Sequence, residues 1–390
     1  MLSAHRRAIR LWLYCVAALL VLMVMVGGIT RLTDSGLSIV EWRPVTGVVP
    51  PLSEEAWRAE LDKYKTSSEY ELVNKGMTLD EFKRIYWWEW VHRLLGRMIG
   101  AAFLLPLLFF QLRGWVEPGL RARLWFIFAL GALQGALGWW MVASGLVGRV
   151  DVAQERLAIH LTTACVILIA VLWTARSLLI PPPCRQGYRI WSISGRRLSP
   201  IGLSVWLLGP GSSLARRAGL ARPGHETPPV PAECSEGVFA RTEREPGPRG
   251  RVLNPGPICD GPALTRGGRP RLTLTAVAIL GLLVVQIALG GLVAGLKAGL
   301  VYDTWPLIDG AFIPSRTHLF MLHPVWMNFL DNHLAVQFAH RMGAYLLVGV
   351  AAIHALDCTH HERGRAGAIA LLGVLLVQAA LGILTLLWHV

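Results

Sequence analysis

The fold that this sequence predicts is an all-α, polytopic membrane helical bundle, and three observations predict it. Apolar runs of roughly 20 residues recur, the length that crosses a bilayer as a helix. The 390-residue chain is 53% hydrophobic and only 16% charged, too apolar for an ordinary soluble protein of that size. Its basic clusters alternate with the apolar runs. In hydrocarbon no water satisfies open backbone groups, so each run must be helical.

Seven runs qualify: Leu11–Val26, Trp90–Phe110, Leu124–Ala143, Leu157–Leu179, Leu272–Leu296, Leu334–Leu356 and Ile369–Trp388. The first follows His5, Arg6, Arg7 and Arg10, the pattern of a signal peptide. No small-residue cleavage site follows it, and the repeat described below makes it a retained span. Between the first two runs, "LSEEAWRAELDKYK" and "MTLDEFKRIYWWEW" have helical spacing, with Ser53 and Thr78 as N-caps ahead of acidic residues. They predict short helices lying over the membrane face. The tryptophans of "YWWEW" suit an interfacial belt.

The net charge of +13 would fit nucleic acid, but its distribution points to lipid instead. Residues 182–271 hold 14 Arg against six acidic residues. The other basic segments are the amino terminus, 111–123 (Arg113, Arg121, Arg123) and 357–366 (Arg363, Arg365). The positive-inside rule places all of them in the cytoplasm, with the amino terminus inside. Segments 30–88, 144–156 and 297–333 then face outward. None of the six cysteines lies in an outward segment and no pair has metal-site spacing, so no structural disulfide is expected.

An internal repeat organises the chain. "GGITRLTDSGLSIVEW" from Gly27 matches "GGLVAGLKAGLVYDTW" from Gly290 without a gap, including Trp42 on Trp305. "HRLLG" at His92 then matches "HRMG" at His340, and "QGALG" at Gln134 matches "QAALG" at Gln378. Spans one to three thus correspond to spans five to seven. The expected organisation is an amino-terminal four-helix half (1–180), a linker (181–270) and a carboxy-terminal half with three spans (271–390). These are two tandem four-helix repeats with the last helix missing. The linker carries 15 of the 23 prolines and no helical periodicity, which predicts a disordered cytoplasmic segment.

His92, His160 and His340 fall at similar depth, near the outward ends of spans two, four and six. Ionisable groups in spans are functional candidates by default. Facing imidazoles in a helical bundle hold haem iron; zinc, the rival, wants more ligands close together. Any one of these histidines alone reads as an interfacial residue bonded to a loop. As a set they read as metal ligands, because His92 and His340 are repeat-equivalent and each is followed by an arginine. Arg93 and Arg341 suit a carboxylate of the cofactor, or equally a lipid headgroup. Glu89 stands three residues before His92; Gln337 stands three before His340. Glutamate takes a proton and glutamine does not, so the chemistry belongs to the first half. The bland alternative is that Glu89 only pairs with Arg93 at i+4.

The segments "GGITRLTDSGLSIVEWRPVTGVVPP", "EWVHRLLGR", "AIHL", "AGLVYDTWPLIDG" and "QFAHRMGAY" resemble, in order, those of the haem A synthase family of the alphaproteobacterial and mitochondrial type. The resemblance implies oxidation of the methyl group at ring position eight of haem O to a formyl group, for terminal oxidase assembly. It implies haem O as substrate between His92 and His160, Glu89 as the essential carboxylate, and haem b on His340 as cofactor. The partners it implies are haem O synthase and cytochrome oxidase assembly factors, with a homo-oligomer left open, in a bacterial inner membrane. A non-catalytic b-type membrane cytochrome and a haem-delivery protein remain as alternatives. Departing from the family, the linker is long, the paired outward cysteines of some members are absent, and no eighth span follows. Gln134 precedes His160 by 26 residues; the same step from Gln378 passes Val390. The expectation is therefore an incomplete haem b site.

Overall fold

The computed structural model describes residues 4–44, 46–179, 270–359 and 364–389. The segment 181–270 read as a disordered linker lies outside these residues, except for Pro270, which opens a helix. The elements are α1 (Ala4–Leu32), α2 (Glu54–Tyr64), α3 (Ser68–Leu72), α4 (Leu79–Leu112), α5 (Pro118–Ala143) and α6 (Gln154–Ser177). They continue with α7 (Pro270–Gly295), α8 (Ala298–Val301), α9 (Arg316–Leu319), α10 (Asn328–Asp331), α11 (His333–Cys358) and α12 (Arg365–Leu387). Seven of them, α1, α4, α5, α6, α7, α11 and α12, are long and apolar enough to cross a membrane. The protein is a multi-pass, all-helical integral membrane protein, as the apolar runs predict.

One element differs from expectation. The stretch after Thr78 is not a separate short helix. It is the start of α4, a 34-residue helix that runs without a break through the second span. Thr78 and Glu81 form a complete capping box at its start, and no Gly or Pro separates that start from the apolar run. Pro106 lies inside the helix near its other end.

In the first half α1 packs on α4 and α6, and α5 packs on α6. Leu13, Leu107, Leu124 and Val171 form the fully buried centre of that bundle. The Trp12 indole N–H donates to the Ala102 carbonyl at 2.8 Å and ties α1 to α4. Above the bundle, α2 and the first turns of α4 close over Ile39 to make a cap of Trp57, Leu61, Tyr64, Phe82 and Tyr86. Ser53 caps α2 as expected, its side chain accepting from the Ala56 N–H. Within this cap Glu69 is buried, and the Tyr64 hydroxyl donates to it at 2.9 Å. Burial pushes the Glu69 carboxyl up to about 7.

The second half packs α7 and α12 on α11 around Ile279, Leu347 and Ala351. The halves meet along α6 and α7. A Cβ on Gly291 would stand 2.7 Å from the Ala158 Cα, and one on Gly295 would stand 2.6 Å from the Gln154 Cβ. Small residues there let the two backbones touch. At one end of this seam Arg31 bonds Asp34 and Asp151, both at 3.1 Å, and the Ala294 carbonyl at 3.2 Å. Lys297 meets Asp151 at 3.0 Å and Asp34 at 3.8 Å. Arg31 and Ala294 are 263 positions apart, the repeat offset, and so are Asp34 and Lys297. Repeat-equivalent positions that touch each other lie beside the axis relating two halves.

Candidate functional site

Each candidate histidine sits on an even-numbered span and points at a glycine of the span before it. A Cβ on Gly27 of α1 would stand 3.0 Å from the His92 Cε1 of α4. One on Gly138 of α5 would stand 3.0 Å from the His160 Cε1 of α6. One on Gly290 of α7 would stand 3.2 Å from the His340 Cε1 of α11. The glycines leave room for the imidazole edges, and in all three pairs the ring lies half-buried against its neighbouring helix.

Two histidines are also held by a glutamine that sequence reasoning passed over. Gln134 Nε2 lies 3.1 Å from the His160 Nδ1 and donates to the His160 carbonyl at 2.9 Å. Gln286 Nε2 lies 3.1 Å from the His340 Nδ1 and donates to the His340 carbonyl at 3.0 Å. Both glutamines stand four residues before the contacting glycine, in "QGALG" and "QIALG". That shared spelling at spans three and five is the signal that would have found them.

Glu89 is 3% exposed and fully engaged. Its Oε2 accepts from the Ser38 hydroxyl and the Ile39 N–H, both at 2.8 Å. Its Oε1 accepts from Arg93 Nε at 3.0 Å and Nη2 at 2.6 Å. Arg93 also donates to the Ile39 carbonyl at 2.6 Å and the Glu41 carbonyl at 2.9 Å. Its guanidinium stands over the Trp139 ring, 5.9 Å from the centroid. The i+4 pairing is therefore real, and Arg93 spends its donors on Glu89 and on the loop. Glu89 and Arg93 together staple residues 38–41 to α4, one helical turn from His92.

In the second half Arg341 repeats part of this arrangement. It donates to the carbonyls of Tyr302 and Leu307, each at 3.3 Å, and Tyr302 is the repeat-equivalent of Ile39. Gln337 reaches only the Tyr302 carbonyl, at 3.4 Å. The Gln337 Oε1 and the Arg341 Nε are buried without partners.

Among the described residues no three or more His, Cys, Asp or Glu gather as a metal site. A cofactor that brings most of its own metal donors would need only imidazoles from the protein, and His92, His160 and His340 would suit such a group. The His92 Nδ1, Gln134 Oε1 and Gln286 Oε1 are buried without a partner, so the three histidine surroundings carry unspent polar capacity.

The profile of the cytochrome oxidase assembly protein family (COX15-CtaA) matches residues 10–199 and 255–390. The chain is 46% identical over 383 residues to a haem A synthase of Rhodopseudomonas palustris (strain HaA2), covering 98% of this chain and 82% of that protein. It is 46% identical over 383 residues to a haem A synthase of Bradyrhizobium sp. (strain ORS 278), covering 97% and 83%. It is 44% identical over 381 residues to one from Azorhizobium caulinodans, covering 97% and 86%. No solved structure matches it.

Proposed function

The chain belongs to the haem A synthase family, and on that premise we propose that it converts the position-eight methyl group of haem O to a formyl group, with His92 and His160 as the axial pair for the substrate. The oxidation takes –CH3 and water to –CHO with release of four protons and four electrons. The substrate's own iron and conjugated ring supply the electron withdrawal. The protein must hold the ring, keep bulk water away and receive protons. In this reading His340 would help to hold haem b, which would carry electrons away.

The observation that carries the proposal is the buried Glu89 one turn from His92. Among its four donors, three are fixed: a backbone N–H and two guanidinium N–H groups. The fourth is the Ser38 hydroxyl, which also points at the Ser35 carbonyl at 3.0 Å. One hydroxyl proton serves one acceptor at a time. When Ser38 turns to Ser35, a lone pair on the Glu89 Oε2 is freed for a departing proton. When it turns back, the carboxylate is held again. Arg93 keeps the carboxylate oriented throughout and neutralises its charge. Arg341 in the second half has no such carboxylate beside it, which suits a site that binds without proton chemistry. We place the protein in a bacterial inner membrane, amino terminus inside.

The test is pigment analysis in a strain that makes haem O and lacks its own haem A synthase. Haem A should appear with this chain and be absent when His92 or His160 is replaced by alanine. Accumulation of haem O alone with the unsubstituted chain would leave a cytochrome or a haem-delivery protein as the reading.

A further inference from the structure

The three histidine cradles are built alike, but one of them lacks a part. Four residues before the cradling glycine stand Gln134 in α5 and Gln286 in α7. At the same step before Gly27 stands Met23 in α1. Met23 and Gln286 are 263 positions apart, the repeat offset, and each reaches a glycine about one turn past its histidine, four residues on in α4 and three in α11. A Cβ on Gly343, one turn past His340, would meet the Gln286 Oε1 at 2.5 Å. A Cβ on Gly96, one turn past His92, would meet the Met23 Cε at 3.4 Å. Met23 therefore occupies, beside His92, the place that glutamine occupies beside His340.

An imidazole that binds a metal through Nε2 carries its proton on Nδ1, and that N–H seeks an acceptor when buried. An acceptor there fixes the ring and makes it a stronger ligand. A glutamine carboxamide supplies one. The Oε1 of Gln134 and of Gln286 is buried without a donor, within the same carboxamide that already lies 3.1 Å from each Nδ1. The carboxamide Nε2 lies 3.4 Å from each histidine Nε2, so a ring whose Nε2 is engaged by a metal leaves Nδ1–H as the group for the carboxamide to meet. Its oxygen reaches that N–H when the side chain turns away from the histidine carbonyl. Beside His92 there is nothing equivalent: its Nδ1 is buried without a partner, and a thioether is a weak acceptor.

We propose that Gln134 and Gln286 are positioning residues that anchor His160 and His340 as metal ligands, and that Met23 leaves His92 as the displaceable member of the His92/His160 pair. The substrate haem is then held firmly from α6 and loosely from α4. The loosely held side is the one next to Glu89. A product that must leave after each turnover is thereby given one ligand that lets go first.

This rests on the haem-ligand reading above, and the experiment separates the two. The probe is carbon monoxide added to the reduced, purified, haem-loaded chain carrying His340→Ala, so that only the first-half haem is followed. Carbon monoxide reaches a six-coordinate iron only after an imidazole leaves, so its binding rate reports the weaker ligand. Met23→Gln should slow binding on the order of fivefold, the effect of one added hydrogen bond. Gln134→Met should speed it by up to about twofold, because two equally loose ligands then each open the iron. Gln134→Glu, which keeps an acceptor, should restore the slow rate. Loss of haem in Gln134→Met that Gln134→Glu repairs also supports the proposal. Unchanged rates in both Met23→Gln and Gln134→Met, or haem loss that Gln134→Glu fails to repair, overturns it. Low-spin six-coordinate haem surviving in both His92→Ala and His160→Ala would instead sink the ligand assignment itself.

Discussion

The two halves carry the same frame around different chemistry. In each, an arginine one residue after the histidine reaches back to the same loop carbonyl, that of Ile39 in one half and Tyr302 in the other. In the first half a carboxylate completes the arrangement, and every polar atom of the Glu89–Arg93 pair that the loop can meet is bonded at 2.6–3.0 Å. In the second half the contacts stretch to 3.3–3.4 Å and two buried polar atoms go unpaired. Two differences, Glu89 against Gln337 and Ser38 against Val301, thus separate a tightly stapled node from a loose one. The shared frame holds a histidine span against its loop; in the proposed function the carboxylate serves the reaction.

Making the halves alike at this point should have the largest effect. Glu89→Gln copies the second half into the first. It should lower haem A formation on the order of a hundredfold, the usual contribution of a proton-accepting group. The reciprocal Gln337→Glu gives Arg341 a partner and should leave haem A formation unchanged. Pigment extraction from cells expressing each variant measures both. Full activity of Glu89→Gln would reduce the carboxylate to a staple.

Repeat-equivalent glycines sharpen the comparison next. Gly291 lies buried in the seam against the Ala158 backbone, whereas a Cβ on Gly28, its equivalent, meets nothing within 4 Å. Gly291→Ala should destabilise the detergent-solubilised chain by about 1–3 kcal/mol. Gly28→Ala should be neutral or stabilise by up to about 1 kcal/mol through helix propensity. Thermal unfolding followed by circular dichroism distinguishes them. Equal effects would mean that α6 and α7 do not close at Gly291.

The smallest expected effect concerns the cap, which only the first half builds from α2, α3 and the start of α4. Glu69 has its carboxyl raised from the usual value to about 7, so folding favours its protonated form. The stabilisation is complete below about pH 4.5 and is lost as pH rises through about 7. Residues 54–77 should therefore show larger hydrogen-exchange protection factors, taken relative to the intrinsic exchange rate at each pH, at pH 5 than at pH 8. Glu69→Gln should flatten that difference. A cap that is equally protected at both pH values, with Glu69 in place, would refute the coupling.

Much of this was readable in the sequence, and for identifiable reasons. Span positions follow from apolar length, the starts of α2 and α4 from Ser53 and Thr78, and the Glu89–Arg93 neighbourhood from helical spacing. What tertiary packing decides was hidden. "GG" marks both halves identically, yet only the Gly291 copy sits in the seam. The continuity of α4 was missed because polar, tryptophan-rich residues ahead of a span look like a surface element. The role of the glutamines is hidden because their shared spelling, "QGALG" and "QIALG", marks a repeat without showing which imidazole lies beside it.

The unbroken helix α4 has a mechanical consequence. Its 34 residues extend about 50 Å at 1.5 Å per residue, while the hydrocarbon layer is about 30 Å thick. A rigid mast therefore stands clear of the lipid by several turns, stepped at one end and carrying the cap at the other. Glu89, His92 and Arg93 sit on its shaft, below the cap. With no hinge between Thr78 and Pro106, a tilt of the mast-head swings the carboxylate and the imidazole together, as points on one lever. The cap is thus a stiff handle on the position of His92.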